Sequence, residues 1–403
     1  MKRTTIVKNN ILRLMHRFNP ALSFLLFAFL LSPFTLTAQP LPLSDSATAS
    51  VITCGPGNDF YLTFGHSAIR IVDPARGIDH VYNYGTFDFD TPHFYWKFAR
   101  GRLNYCLSRS EFQHFMKVYD SERRAVWEQP LNLTTQEVNN LYVALEWNYL
   151  PQNRYYRYDF FRDNCATRVR DMVEAAVGID DTILYCEEHA GRSYRRIVHQ
   201  STAGGRLEWW TMGVDLLLGL PADHRCDVRE VMFHPIEMMQ TFDHSHLGFS
   251  DCGRGNLVAP TRQYLPDVRT PLRRSFPPLL VFSLLFLVVA LLSAVHLSSF
   301  TSHLIDRLLF ILASLVGLVL LFMWFGTDHY CTAWNLHILW ASPLLLLIAI
   351  RLQRSPRWAL WLQEACFLAA LLWIILCGLS PAFIPLILTL ALRVALLLTK
   401  KKR

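Results

Sequence analysis

The sequence predicts an α+β extracytoplasmic domain followed by an all-α bundle of about five transmembrane helices. Two observations carry most of that prediction. Period-two and period-3.6 apolar patterns fill the first two thirds of the chain. Long runs almost free of charge, near 277–297, 304–325, 336–351, 358–377 and 383–399, fill the last third. A third observation sets the orientation. Arg307, Arg351, Arg354, Arg357 and the Lys400–Arg403 tail fall on one side of the spans, and the opposite loops near 326–335 and 378–382 carry no Lys or Arg. That is the positive-inside pattern, with the large N-terminal domain outside the cytoplasm. Arg269, Arg273 and Arg274 depart from it, but they belong to a large translocated domain, whose charges weigh less.

Residues 1–38 read as a secretory signal. A basic n-region holds Lys2, Arg3, Lys8, Arg13 and Arg17, Ala21–Leu31 is apolar, and Thr35–Ala38 offers small residues for cleavage. An uncleaved anchor is the alternative, and both put the next segment outside. Residues 39–275 then form the extracytoplasmic domain and 276–403 the bundle. Within the first, Tyr61–Val72 reads as a strand, with Leu62, Phe64, His66 and Ala68 on one face. Pro74–Gly77 is turn chemistry, and Val81–Phe87 returns alongside. Leu131–Glu137 is a helix entry, with Thr134 as cap and Glu137 three residues on. That helix runs to about Trp147 before Pro151 breaks it. Leu207–Leu220 is apolar with two Trp and suits either a buried helix or the membrane surface.

The segment Asp159–Asp171 carries the chemistry. Asp163 or Asn164 can cap a helix whose apolar positions are Val169, Met172, Val173, Ala176 and Val177, with Gly178 as the stop. Cys165 falls in the first turn, where the helix dipole favours thiolate over thiol. His66, on the strand against which this helix would pack, supplies a base, so the two form a nucleophile–base pair. A third polar group would orient the imidazole. Hairpin register puts residues 83–85 opposite His66, making Asn83 the first choice, Tyr84 the second and Asp88 a further option. Tyr84 and Asn164 are candidate substrate contacts. Arg168, one turn after the thiol, could bind a phosphate or pair with Asp163 or Asp171.

Three strings, FGHSAIRIVD (64–73), VYNYGTFDFDTPHFYWKFARGRLNY (81–105) and YRYDFFRDNCATRVRD (156–171), resemble the N-terminal periplasmic domain of the Lnb family of Bacteroides-type lipoprotein N-acyltransferases. The order of His-strand before Asn-Cys helix resembles, more distantly, the permuted papain-like enzymes. The resemblance implies a papain-like α+β fold and a membrane-bound, thiol-dependent acyltransferase in the bacterial inner membrane. The acyl donor would be a phospholipid and the acceptor the N-terminal amine of a diacylglyceryl-cysteine lipoprotein. It also implies a role for the loop Gly326–Asn335, where Asp328, His329 and Asn335 would contact a headgroup or lipoprotein. Tyr330 stands where the resemblance leads one to expect proline.

Composition narrows the classes. A 403-residue chain that is 52% hydrophobic, with mean hydropathy +0.21, is too apolar for an ordinary soluble protein. The net charge of +7 forms no folded basic surface, and no nucleic-acid motif accompanies it. Nine cysteines include seven on the oxidising side (Cys54, Cys106, Cys165, Cys186, Cys226, Cys252 and Cys331), an odd number that leaves at least one free thiol. His234, Asp243, His244, His246, Asp251 and Cys252 fit no standard metal spacing, so neither metal nor cofactor is assigned. Two rival readings share the Cys–His placement: a papain-like peptidase or amidase acting on cell-wall peptides, and a non-catalytic lipoprotein-binding membrane protein.

Overall fold

Alternating apolar residues build one antiparallel sheet. Its strands are β1 (Thr48–Cys54), β2 (His66–Asp73), β3 (Ile78–Thr86), β4 (Asn104–Glu111), β5 (Val126–Pro130) and β6 (Tyr155–Arg157). Three two-residue strands, β7 (Ile183–Leu184), β8 (His246–Leu247) and β9 (Gly255–Asn256), form a small second sheet, and β10 (Arg262–Leu265) returns to the first. The large sheet has seven strands in the order β10-β5-β1-β2-β3-β4-β6. The computed structural model describes residues 41–403 except 179–181, 203–206, 249–253, 270–274, 296–297 and 401–403. The signal segment expected over 1–38 therefore lies outside the described residues, as do Asp251, Cys252, Arg273 and Arg274.

Period-two alternation divides each strand between two layers. Ala49 and Val51 of β1, with Ile69 and Ile71 of β2, face a layer of two helices, α3 (Thr135–Tyr149) and α4 (Cys165–Val177). Ile52, Cys54, Ala68 and Val81 face the opposite way. They are covered by Phe115 and Tyr119 of α2 (Phe112–Ser121), a helix that follows α1 (Phe94–Ala99) in the chain. The sequence grouped Ala68 with His66 on the α4 side. In the fold, Ile69 and Ile71 face α4 and Ala68 faces away, while His66, at the first position of the strand, still reaches Cys165; β2 begins only there because Phe60–Leu62 is a short 3-10 turn. α3 starts on the expected capping box, Thr134 accepting from the Glu137 N–H while the Glu137 carboxylate accepts from the Thr134 N–H. Such caps contribute about 1 kcal/mol.

The C-terminal part contains α9 (Pro278–Ala294), α10 (Ser299–Phe325), α11 (Leu344–Ile350), α12 (Arg357–Cys377) and α13 (Phe383–Lys400). Ser299–Phe325, Tyr330–Ile350 and Arg357–Cys377 are long and apolar enough to cross a bilayer, while Pro278–Ala294 and Phe383–Thr399 are shorter apolar helices. The third span is not one helix, as the sequence had suggested. It is two 3-10 turns followed by the seven-residue α11, with Ser342-Pro343 at the break. Broken backbone inside a membrane needs internal partners. The Leu339 carbonyl accepts from Gln363 Nε2 at 3.0 Å and the Ser342 carbonyl from Ser314 Oγ at 3.2 Å. A buried pair, Arg393–Asp306 at 2.6 Å, ties the last helix to α10.

Pro42–Arg403 forms one compact unit, so sheet domain and bundle share a packed seam. Between α4 and the bundle lie α5 (Tyr194–Thr202), α6 (Glu208–Leu217), α7 (Val228–Val231) and α8 (Pro235–Asp243), and Met212 of α6 joins the bundle core. The apolar 207–220 stretch thus packs on α9, with Trp209 Nε1 donating to the Phe276 carbonyl at 2.8 Å. At the centre of the seam Asp215, fully buried, accepts from Arg195 Nη1 at 3.2 Å, from His199 Nε2 at 2.7 Å and from the Ser380 N–H at 2.8 Å. Gly219 passes so close to the bundle that a Cβ there would stand 1.7 Å from the Ala333 carbonyl oxygen.

Candidate functional site

The approach to Cys165 is a tight polar turn. Asp159 Oδ1 accepts from the N–H groups of Phe161 and Arg162 at 3.0 and 2.9 Å, which curls the chain back on itself. Asn164 then caps α4, its Oδ1 accepting from the Ala166 and Thr167 N–H groups at 2.9 and 3.0 Å. Its Nδ2 donates to the Phe160 and Phe233 carbonyls, and its own N–H donates to Thr167 Oγ1. Asn164 is therefore a fully engaged cap, and its backbone N–H is spent. The Cys165 N–H is not drawn into that cap.

The thiol lies where the sheet opens. β2 pairs with β3 from Ile69↔Tyr82 to Asp73↔Ile78, and the β3–β4 register shifts between Asn83 and Thr86. A bulge of this kind re-aims side chains. Gly85 sits in the bulge at φ +88°, a conformation L side chains rarely adopt, and a Cβ there would lie 3.6 Å from Cys165 Cβ and 3.8 Å from His66 Cε1. Cys165, His66 and Asn83, separated in the sequence, meet around this opening. His66 Nε2 donates to Asn83 Oδ1, which turns the other ring nitrogen to the thiol.

The electrostatics of the pair run in one direction. Burial alone would raise the Cys165 pKa. The charge of His66 and the hydrogen bond to it, helped by the N–H groups of Ser67 and Ala166, hold the thiol below its ordinary value. Burial likewise opposes the His66 cation, but the Cys165 charge, its hydrogen bond and the bond to Asn83 outweigh burial and raise the imidazole. Both shifts favour thiolate facing imidazolium. Cys54, whose backbone pairs with His66 across β1 and β2, is the contrast: burial pushes its thiol up to about 12.

Tyr158, absent from the sequence candidates, brings its hydroxyl to the Cys165 sulfur, and burial followed by the Cys165 charge keeps that phenol protonated as a donor. It lies just past β6 and before the turn at Asp159. The string YRYD held it, but nothing in the local spacing separated it from Tyr155 and Tyr156.

The remaining candidates lie elsewhere. Tyr84 is buried beside Tyr156, with rings 6.3 Å apart, on the α3–α4 side of the sheet. Arg168 pairs with Asp163 at 2.5 and 2.8 Å and covers the Tyr156 ring at 3.6 Å. Asp328, His329 and Asn335 are not gathered at the thiol; they contact the sheet domain along the seam. Asp328 accepts from Arg102 at 2.8 and 3.2 Å, His329 Nε2 donates to the Phe98 carbonyl at 3.1 Å, and Asn335 Nδ2 donates to the Leu216 and Leu217 carbonyls at 2.8 and 3.2 Å. Their loop does approach the turn before Cys165, for the Arg162 guanidinium stacks 3.3 Å over Tyr330 and Cys331 shares a buried cluster with Cys165. Of the residues weighed for a metal, His234 bonds Ser201 Oγ, and Asp243 accepts from Gln129 and Thr261.

A mixed α/β domain fixed to a bundle of apolar helices, with basic residues on the far side, defines a multi-pass inner-membrane protein whose N-terminal domain is periplasmic. The family description Lnb N-terminal periplasmic domain matches residues 43–194, and Lnb transmembrane domain matches residues 271–403. The chain belongs to the Lnb family, which marks it as a lipoprotein-modifying membrane protein. No curated protein and no solved structure matches it.

Proposed function

We propose that this protein is a lipoprotein N-acyltransferase, moving a fatty acyl chain from a phospholipid, through a thioester on Cys165, to the N-terminal amine of a diacylglyceryl-cysteine lipoprotein. The observation that carries this reading is the meeting of Cys165 and His66, the latter held by Asn83, at the opening of the sheet in a domain locked to a membrane bundle. In the first half-reaction the Cys165 thiolate attacks the ester carbonyl. The carbon–oxygen bond breaks, and His66 gives its proton to the departing lyso-lipid alkoxide. In the second half the lipoprotein amine attacks the thioester while neutral His66 takes its proton. The carbon–sulfur bond breaks and the thiolate returns. The Cys165 N–H and the Tyr158 hydroxyl are the donors proposed for the oxyanion, and one such donor is worth about two to three decades of rate. Asn83 acts as a positioning residue, fixing the tautomer that leaves a ring nitrogen for sulfur. We place the domain limits at 39–275 and 276–403, with the signal before them.

Intact-protein mass spectrometry after incubation with phospholipid vesicles tests the first half. The expected result is an acyl adduct on Cys165 that a diacylglyceryl-cysteine peptide discharges as N-acyl peptide. A folded preparation that never acquires the adduct overturns the proposal.

A further inference from the structure

Between β3 and β4 the chain presents an aromatic strap. Within ten residues Phe89, Tyr95, Trp96 and Phe98 are 59%, 82%, 56% and 45% exposed. Contiguous apolar surface of this kind marks an interaction site. One side of the strap joins the bundle. The Trp96 ring stacks on Phe322 of α10, with centroids 5.7 Å apart and planes 24° apart, and Arg100 Nε donates to the Gly326 carbonyl at 3.2 Å. The same end of that span carries the exposed rings of Phe325 and Trp334. Tyr and Trp collect at the membrane–water boundary, where an amphipathic ring meets both phases. The strap continues that belt, so the surface that covers it is the periplasmic leaflet of the bilayer holding α10. Asp88 and Asp90, both exposed at the strap's turn, favour headgroup depth over the hydrocarbon centre.

The other side of the strap leads to the thiol. Phe87 lies 5.0 Å from Phe89 and 5.3 Å from Tyr105 between ring centroids, Tyr105 lies 4.5 Å from Tyr158, and Tyr158 meets Cys165. An unbroken run of ring contacts, edge-on at Phe87 and tilted from Tyr105 to Tyr158, thus connects the strap to the sulfur.

We infer that the 87–98 strap is an interfacial entry for the acyl chain. Its outward rings rest in the periplasmic leaflet, and the Phe87–Tyr105–Tyr158 rings line the way of a phospholipid chain to the thiol. The path rests on the acyl-transfer reading, but the seating of the strap in the leaflet does not.

The test uses the full-length protein in nanodiscs of phosphatidylethanolamine and phosphatidylglycerol. A benzophenone amino acid replacing Tyr95 should crosslink to lipid, whereas the same group replacing Val118 of α2, 42% exposed on the opposite layer, should not. No lipid adduct at 95, or equal adducts at both positions, overturns the seating whatever the chemistry of Cys165. For the path, Phe89→Ser with Tyr95→Ser should lower the rate of Cys165 acylation by bilayer phospholipid, relative to that by a soluble short-chain thioester, by about tenfold. An unchanged ratio overturns the path. If the probe at 95 crosslinks to lipid yet the wild-type protein is acylated by neither donor, the acyl-transfer reading falls and, with it, the path.

Discussion

The Cys165 opening and the Asp215 seam are both buried and polar, yet they are built to opposite ends. At the seam each group is saturated: Asp215 accepts three hydrogen bonds, and Arg195 divides its donors among Asp215, Asp223 and the Leu218 and Gly219 carbonyls. A saturated buried network is rigid and inert. At the opening His66 spends one nitrogen on Asn83 and the other on a sulfur that is itself a nucleophile. The difference teaches that polarity and burial do not by themselves mark a reactive site. What marks one is a group whose partner can exchange a proton with it.

The hardest test of that contrast is removal of the sulfur. Cys165→Ala should abolish the acyl adduct and lower transfer to a lipoprotein by roughly 10⁶-fold, the scale seen when a nucleophile is deleted. Cys54→Ala, on the neighbouring strand and equally buried, should leave the adduct in place, because its thiol is pushed up to about 12. Adduct mass and reporter-lipoprotein spectra read both variants. Loss of the adduct in Cys54→Ala alone would assign the chemistry to the wrong cysteine.

Next comes the seam. Asp215→Asn removes the charge facing Arg195, whose side chain is 1% exposed, and breaking one half of a buried pair costs about 3–5 kcal/mol. A large fall in melting temperature in nanodiscs is expected, with activity lost through loosened docking of the domain. The purified variant should become sensitive to protease between α6 and the bundle. An unshifted melting curve would show that the seam is not held by this network.

How much of this was legible in the sequence follows the same division. The thiol helix was legible because it is local: Asn164, Cys165 and Gly178 are start, content and stop within one segment. Asn83 was reachable through hairpin register. His66 and Phe64 reach the Cys165 side as the alternation predicts, but Ala68 does not, because the 3-10 turn at Phe60–Leu62 and Gly65 shift where the strand's own alternation begins. The seam was illegible. Asp215 meets Ser380 across 165 positions, and Asn335 meets Leu216 across 119, which no periodicity encodes. The broken third span hid behind its own apolarity, since Leu336–Ile350 reads as one helix until Ser342-Pro343 is weighed. Tyr158 was missed because its role depends on where the sheet opens.

Asn83 sharpens the opening without destroying it. Asn83→Ala removes a bond that favours charged His66, so the imidazole pKa falls. The rate–pH profile should keep its acid limb, set by Cys165, while its alkaline limb moves to lower pH. The rate at the optimum should drop about 10²-fold. Iodoacetamide labelling of Cys165 gives a parallel reading. In the wild type labelling should persist to pH values below those of an ordinary thiol, because the thiolate is stabilised. In His66→Ala it should require higher pH. A profile in Asn83→Ala that merely scales, with both limbs unmoved, would reduce Asn83 to a packing residue.

The smallest effect belongs to the outer edge of the seam. Asp328 pairs with Arg102 where both side chains stay about half exposed, at 52% and 44%. The guanidinium holds the carboxyl below its usual range, so the pair is charged at neutral pH. Exposed pairs are screened by water and salt and add little. Asp328→Asn should therefore leave the melting temperature unchanged, in contrast to Asp215→Asn. A substrate role for Asp328 would instead appear as a raised KM for phospholipid or lipoprotein with unchanged kcat, since uniform binding is lost while the chemical step is kept. Equal KM values for Asp328→Asn and the wild type would assign the residue to docking alone and confine the chemistry to the Cys165 opening.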